Sequence, residues 1–376
     1  MLPADAKIIS VDDHLVEPPQ LWQDRLPSKM REEGPRIVHE DDCDAWLYEG
    51  RKYSQHLLTA VAGKDFSEWS MAELSFADIL PGCFDPKARL RDMDADGVAA
   101  QINFPTWPRL AGTLFTVDSK DKQLALQCVK AWNDYVIDEW CATAPHRYIP
   151  LVIVPLWDPA LAAKEIERTA AKGAKTVSFV ENPAPLGLPS FHTDHWDPFF
   201  ATIEDLDMPV CLHFGSSGQT AYTSPDAPRI VMSSLLGQNA MSAMTEIIFS
   251  PVLHKFPKVK FVLSESGIGW IPYLLERLDQ MWTEHRHYQD VDFEGRPTDL
   301  YNEHFWVCTI TETFGLRIRD EIGVDRIMLE SDYPHADSSW PHTRKRAEEL
   351  LADLPDEQAR MISETNARNL FHLEGI

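Results

Sequence analysis

Two hydrophobic patterns alternate along most of the chain. Short apolar runs rich in Val and Ile cover residues 99–104, 149–154, 174–180, 208–213, 259–264, 304–308 and 326–330, and an eighth opens the chain within residues 7–18. Runs this short and this β-branched predict buried strands. Between them, apolar residues recur every three to four positions over 89–97, 120–144, 159–172, 198–206, 233–250, 271–285, 314–322 and 343–354, as in Trp132, Tyr135, Val136 and Trp140. That spacing predicts amphipathic helices, and Gly173 follows one of them where a C-cap belongs. Eight strands alternating with helices imply a parallel sheet closed into a (β/α)8 TIM barrel, an α/β fold. A further helix over 356–370 is expected to pack outside as a C-terminal addition. Residues 18–89 fit neither pattern. Pro18, Pro19, Pro27, Pro35, Pro81 and Pro86 interrupt them, and residues 44–53 have the character of a strand, a Gly turn and a strand. They read as an inserted cap after the first strand, over one end of a single domain spanning 1–376.

Charge narrows the partners. The net charge of −24 leaves no electrostatic footprint for nucleic acid or an anionic membrane, so a small-molecule substrate is expected. No apolar run approaches the ~18 residues of a membrane span, and no signal peptide is visible, so the expected location is cytoplasmic. The six cysteines form no CxxC pair and read as reduced packing residues.

In such a barrel the chemistry collects at the C-terminal ends of the strands. Those ends carry Asp12, His14 and, three residues on, Glu17; then Asn103, Glu181, Asn182, His213, Ser264, Glu265, Thr309, Thr311, Ser331, Asp332 and His335. Asp12 and His14 alternate onto one side of their strand. Each residue has an ordinary reading as a helix cap or a core group; together, carboxylates and imidazoles converging on one face point to a metal site.

The set Asp12-x-His14, His213 and Ser331-Asp332-Tyr333-Pro334-His335 resembles the amidohydrolase-related superfamily, in the branch of aminocarboxymuconate semialdehyde decarboxylase and resorcylate decarboxylase. The resemblance runs over nearly the whole barrel and into Asn366-Ala-Arg-Asn-Leu-Phe371. It implies that Asp12, His14, His213 and Asp332 bind one divalent metal, that Asp332 is the general base if the chemistry is hydrolytic, and that a homodimer is open. One departure stands out. Where those decarboxylases end a strand in a histidine that acts on the substrate, this chain has Glu265. A glutamate serves readily as an anionic metal ligand and poorly as a proton shuttle near pH 7.

Glu17, Glu265 and His192 are therefore expected to complete a second metal site, with Asp332 and Glu265 as the catalytic pair. His195 reads as part of a helix start, His335 as a donor to a ligand carboxylate, and His342 as structural. Two functional classes follow. One is a divalent-metal-dependent hydrolase or decarboxylase. The other is oxygen activation at a dinuclear centre, since carboxylate-rich pairs of metals suit iron; the Asp-x-His-x-x-Glu start and Glu265 resemble a small group of non-heme dinuclear oxygenases on this barrel. The expectation favours the second: a non-heme diiron monooxygenase hydroxylating an apolar small molecule, with two divalent ions (Fe, with Fe/Mn or Zn as alternatives) and O2 as co-substrate. A binding or scaffold protein ranks below both.

Overall fold

The computed structural model describes residues 2–40, 43–221, 223–289, 291 and 293–376, with the side chain of Glu40 left aside. Its core is a TIM barrel. The opening strand β1 (Ile9–Leu15) is buried at every position, and β5 (Ala100–Pro105) pairs with it in parallel. The antiparallel strands β2 (Arg36–Glu40), β3 (Cys43–Tyr48) and β4 (Arg51–Ser54) lie between them in sequence and form a separate small sheet in the 18–89 segment. The expected hairpin at 44–53 is thus β3 and β4, and β2 extends it on the other edge.

The third barrel strand is split. β6 (Tyr148–Ile149) pairs with β5, and β7 (Leu151–Val152) pairs with β8 (Thr176–Phe179). Pro150 sits between the two pieces; it has no N–H for the ladder, and its carbonyl accepts from Lys175 N at 2.9 Å. The parallel order continues through β9 (Val210–His213), β10 (Phe261–Ser264), β11 (Phe305–Thr309) and β12 (Ile327–Leu329). Just past β12 the chain returns to β1: Asp332 N donates to Asp12 O at 2.9 Å, and His14 N donates to Tyr333 O at 2.7 Å. This junction seals the ring beside Asp12, His14 and Asp332.

The helices follow the expected positions with local departures. The expected 120–144 helix is α-helical over Lys122–Tyr135, widens over Val136–Trp140 and ends in a tight turn. The widened turn turns Trp140 inward, where its indole donates to Asn103 Oδ1 at 2.9 Å. The helix expected at 89–97 starts earlier, at Pro86, with Asp85 capping it and Gly97 ending it at φ 78°. Asn366 at the start of the last helix donates to the carbonyls of Val324 and Ile327, tying the C-terminal helices to β12.

The 18–89 segment is anchored by aromatic packing. Trp22, Trp46 and Trp107 meet with ring centroids 4.9–5.0 Å apart. A smaller apolar cluster of Val16, Ala60, Leu74, Ile79, Cys83 and Tyr333 seats it against the loop after β12, where Val61 N donates to Pro334 O at 2.9 Å. Among the described residues, no cysteine is joined in a disulfide. Among the described residues, no helix is long and apolar enough to cross a membrane.

Candidate metal centre

β1 supplies Asp12 and His14, both fully buried. Asp13, between them, faces the other way and fastens the strand. Its Oδ1 accepts from Ser331 Oγ at 2.5 Å and Tyr333 N at 2.9 Å. Burial pushes its carboxyl up to about 6 against those hydrogen bonds. Arg89, also buried, spans the same corner. It donates to Gly82 O and His14 O, each at 2.6 Å, and lies 4.1 Å from the Tyr333 ring centroid. The backbone that carries His14 is thus held from three sides.

β9 ends in His213. Its Nδ1–H donates to Phe214 O at 2.8 Å, which leaves the lone pair of Nε2 facing the cluster. Glu265 follows β10 and Asp332 follows β12, with φ 51° and 52°. For residues with a Cβ this left-handed backbone costs of order 1 kcal/mol or more, and the surroundings hold it. Glu265 N donates to Glu330 Oε2 at 3.1 Å. The loop after β12 adds His335, whose ring stacks on that of His14 with centroids 3.6 Å apart.

The polar atoms converge without satisfying one another. His14 Nε2 lies 3.3 Å from Asp12 Oδ1, 3.3 Å from Asp332 Oδ1, 3.7 Å from Glu265 Oε1 and 3.2 Å from His213 Nε2. His213 Nε2 is 3.5 Å from Asp12 Oδ2 and 3.4 Å from Glu265 Oε1. Yet both oxygens of Asp12, Oε1 of Glu265 and Oδ1 of Asp332 are buried without a hydrogen bond. Buried carboxylate oxygens left so are costly unless a cation takes them. The electrostatics agree. Burial, then the charge of Glu265, drives the Asp332 carboxyl well above its ordinary range. Burial, then Asp12 and Glu265, does the same to Glu330. Burial opposes the charge on His213, but Asp12 and Glu265 overcome it and push the imidazole up to about 10. Too many negative groups share too little positive charge, and the donor set of carboxylate oxygens and imidazole nitrogens fits a divalent cation.

The structure brings Asp12, His14, His213, Glu265 and Asp332 together and leaves two expected ligands elsewhere. Glu17 is buried, but its carboxylate is spent on the loop after β5. Oε1 accepts from Thr106 N at 3.0 Å and Trp132 Nε1 at 3.1 Å, and Oε2 accepts from Trp107 N at 2.8 Å. Burial raises it to about 7. His192 is half exposed, 3.3 Å from Glu246, on the wall of a separate cavity of about 880 Å³, alongside Phe249 and Trp282 and without a residue of the centre. Sequence reasoning passed over Glu330, although a glutamate closing a buried strand was a visible signal. His335, expected as a donor to a ligand carboxylate, places its Nδ1 2.9 Å from Asp332 Oδ1. A cavity of about 400 Å³ opens beside the centre, lined by Glu265, Glu330, Trp270, Thr311, Glu312 and Asp337 among others.

Comparison with known proteins agrees with this fold and corrects the expected chemistry. A family profile described as amidohydrolase matches residues 42–373. Gamma-resorcylate decarboxylase of Rhizobium sp. (strain MTP-10005) is 28% identical over 313 residues, covering 76% of this chain and 87% of the relative. That of Rhodococcus jostii is 28% identical over 321 residues, covering 79% and 94%. Among solved structures, an amidohydrolase of Mycobacterium avium subsp. paratuberculosis superposes with a TM-score of 0.78 at 22% identity over 98% of this chain and all of the other. A 5-carboxyvanillate decarboxylase of Novosphingobium aromaticivorans with bound manganese superposes at 0.69, with 18% identity over 98% of each chain. The expectation of a diiron monooxygenase is overturned: the curated relatives matched over most of the chain are decarboxylases, which are lyases and not oxidoreductases. Iron and O2 lose their support with it, and the cluster of residues that could hold a divalent metal remains.

Proposed function

The chain belongs to the amidohydrolase family, and from that premise we propose that it is a divalent-metal-dependent decarboxylase of aromatic carboxylic acids. One observation carries the reading: Asp12, His14, His213 and Asp332 converge at the barrel mouth with oxygens of both aspartates buried and unpartnered, in a chain aligned over 313 residues with a gamma-resorcylate decarboxylase. These four residues would hold the cation. When bound, it would fix the substrate's oxygen atoms and draw electron density from the ring.

The chain's own groups supply the rest. In the reaction, the ring carbon bearing the carboxylate takes a proton, the electrons of the carbon–carboxylate bond return to the ring, and CO2 leaves. Glu330 lines the cavity and is buried, with Oε2 occupied by Glu265 N–H. Its other oxygen is the atom we assign to hold the proton, in keeping with the upward shift of its carboxyl. Glu265 orients Glu330 through that hydrogen bond and closes the cluster. Trp270 and Thr311 wall the cavity, and Trp270 is fixed by donating its indole N–H to Ser266 O at 2.8 Å.

The test is CO2 release from a panel of hydroxylated and methoxylated benzoates, by manganese-loaded enzyme in air and under argon. CO2 release in both atmospheres supports the reading. Oxygen-dependent turnover, or hydrolysis of esters and lactones with no CO2 from any benzoate, sinks it.

A further inference from the structure

We propose that Glu181, just past β8, anchors a binding site for a small hydroxylated primary amine, an amino alcohol or amino sugar, in a cavity apart from the metal centre. Occupancy of this cavity is independent of the decarboxylase chemistry.

Hydrogen bonds fix this carboxylate and leave half of it idle. Glu181 is 3% exposed. Its N–H donates to Ser216 Oγ at 3.0 Å, and Ser216 N donates to His213 O at 3.2 Å, so the loop after β9 sets its position. Oε1 accepts from Ser217 Oγ at 2.8 Å, Asn239 Nδ2 at 2.9 Å and Ser217 N at 3.4 Å. Asn239 is held in turn, because its Nδ2 also donates to Gln219 O at 2.8 Å. Oε2 is buried and has no hydrogen bond among the described residues. Neutral donors thus saturate one oxygen and pin the group, while the other faces a cost that only a further donor relieves.

The cavity at Glu181 indicates which donor. It measures about 390 Å³, room for a small ligand, and shares no lining residue with the cavity beside the metal centre. Neutral polar side chains make up much of its wall, among them Asn182, Gln219, Gln238 and Ser242, and Glu181 is the one titratable group among its described lining residues. Those residues include no Lys, Arg or His and no aromatic ring, so the wall offers nothing to an anion or to a planar aromatic acid. A charged N–H bonds a carboxylate roughly twice as strongly as a neutral donor does, and an ammonium also neutralises the buried charge. The hydroxyls and amides around it both donate and accept, as ligand hydroxyls require. One ammonium on a small body carrying hydroxyls meets both demands.

Manganese-loaded, full-length protein is titrated calorimetrically with ethanolamine and glucosamine, and with ethylene glycol and glucose, in which a hydroxyl replaces the ammonium. The expected result is saturable binding of at least one of the amines, at least about tenfold tighter than its hydroxyl counterpart. Glu181→Gln should weaken that binding by at least about tenfold, because the amide keeps a single acceptor oxygen and Ser217 and Asn239 already occupy it. Ser242→Trp leaves the carboxylate in place and fills the cavity from an exposed position on the helix Gly237–Phe249, so it should fold and abolish binding even if Glu181→Gln does not fold. No saturable binding of either amine, equal binding of an amine and its hydroxyl counterpart, or unchanged amine binding in either folded variant overturns the proposal.

Discussion

The indole N–H of Trp132 donates to Oε1 of Glu17 at 3.1 Å, joining residues 115 positions apart in the chain. With the N–H groups of Thr106 and Trp107, it spends both oxygens of a carboxylate that the sequence assigns to a metal. Glu17 is therefore placed to hold the loop after β5 against the long helix that carries Trp132.

Glu17→Gln should test that placement. An amide has one acceptor oxygen, so one N–H now served by the second oxygen loses its partner, at about 1–3 kcal/mol. Thermal unfolding should show the loss, and manganese stoichiometry should not change. The pH dependence has a definite sign. The folded carboxyl is raised from 4.5 to about 7, so the folded state keeps a proton that the unfolded chain releases. The stabilisation is full below pH 4.5 and lost as pH rises to 7, on the order of 3 kcal/mol. Urea unfolding across that window should show a smaller decline in the Gln variant.

His192→Ala should be nearly silent. The ring is half exposed and lies against Glu246, so stability should move by less than ~0.5 kcal/mol. A drop in metal content would return His192 to the centre.

Asp12→Asn should cost metal. Both oxygens of Asp12 are buried and unsatisfied, and the amide offers one neutral oxygen with a buried NH2. Manganese affinity should fall at least about tenfold, the scale seen even for residues that only orient ligands. Chelation of the wild type should abolish CO2 release and lower the unfolding midpoint, with both restored by manganese.

Arg89→Met should destabilise the fold and loosen the centre together. It strips the partner from the carbonyls of Gly82 and His14, at roughly 2–5 kcal/mol in sum. Arg89→Lys should rescue little, because one ammonium does not reproduce the fork that spans both carbonyls.

Glu330→Gln should leave the metal in place and lower kcat by about 10²–10⁴, since the amide still accepts from Glu265 N–H but delivers no proton. An unchanged kcat would remove Glu330 from the reaction.

The barrel was legible in the chain because each strand carries its own signal. Val210–His213 or Phe261–Ser264 is too short and too apolar for anything but a buried strand, and eight such runs between helices close in one way. Asp12, His14, His213, Glu265 and Asp332 could be named for the same reason: they sit at strand ends, and the fold fixes where strand ends meet. Glu17 and His192 lie on loops outside that rule, and side-chain type says nothing about where a loop turns. Tertiary structure decided that Glu17 faces the backbone of Thr106 and Trp107, that His192 faces solvent and Glu246, and that His335 folds back onto the ring of His14. Local periodicity thus determined the architecture and its catalytic face, while long-range hydrogen bonding and packing chose which carboxylates and imidazoles share a charge.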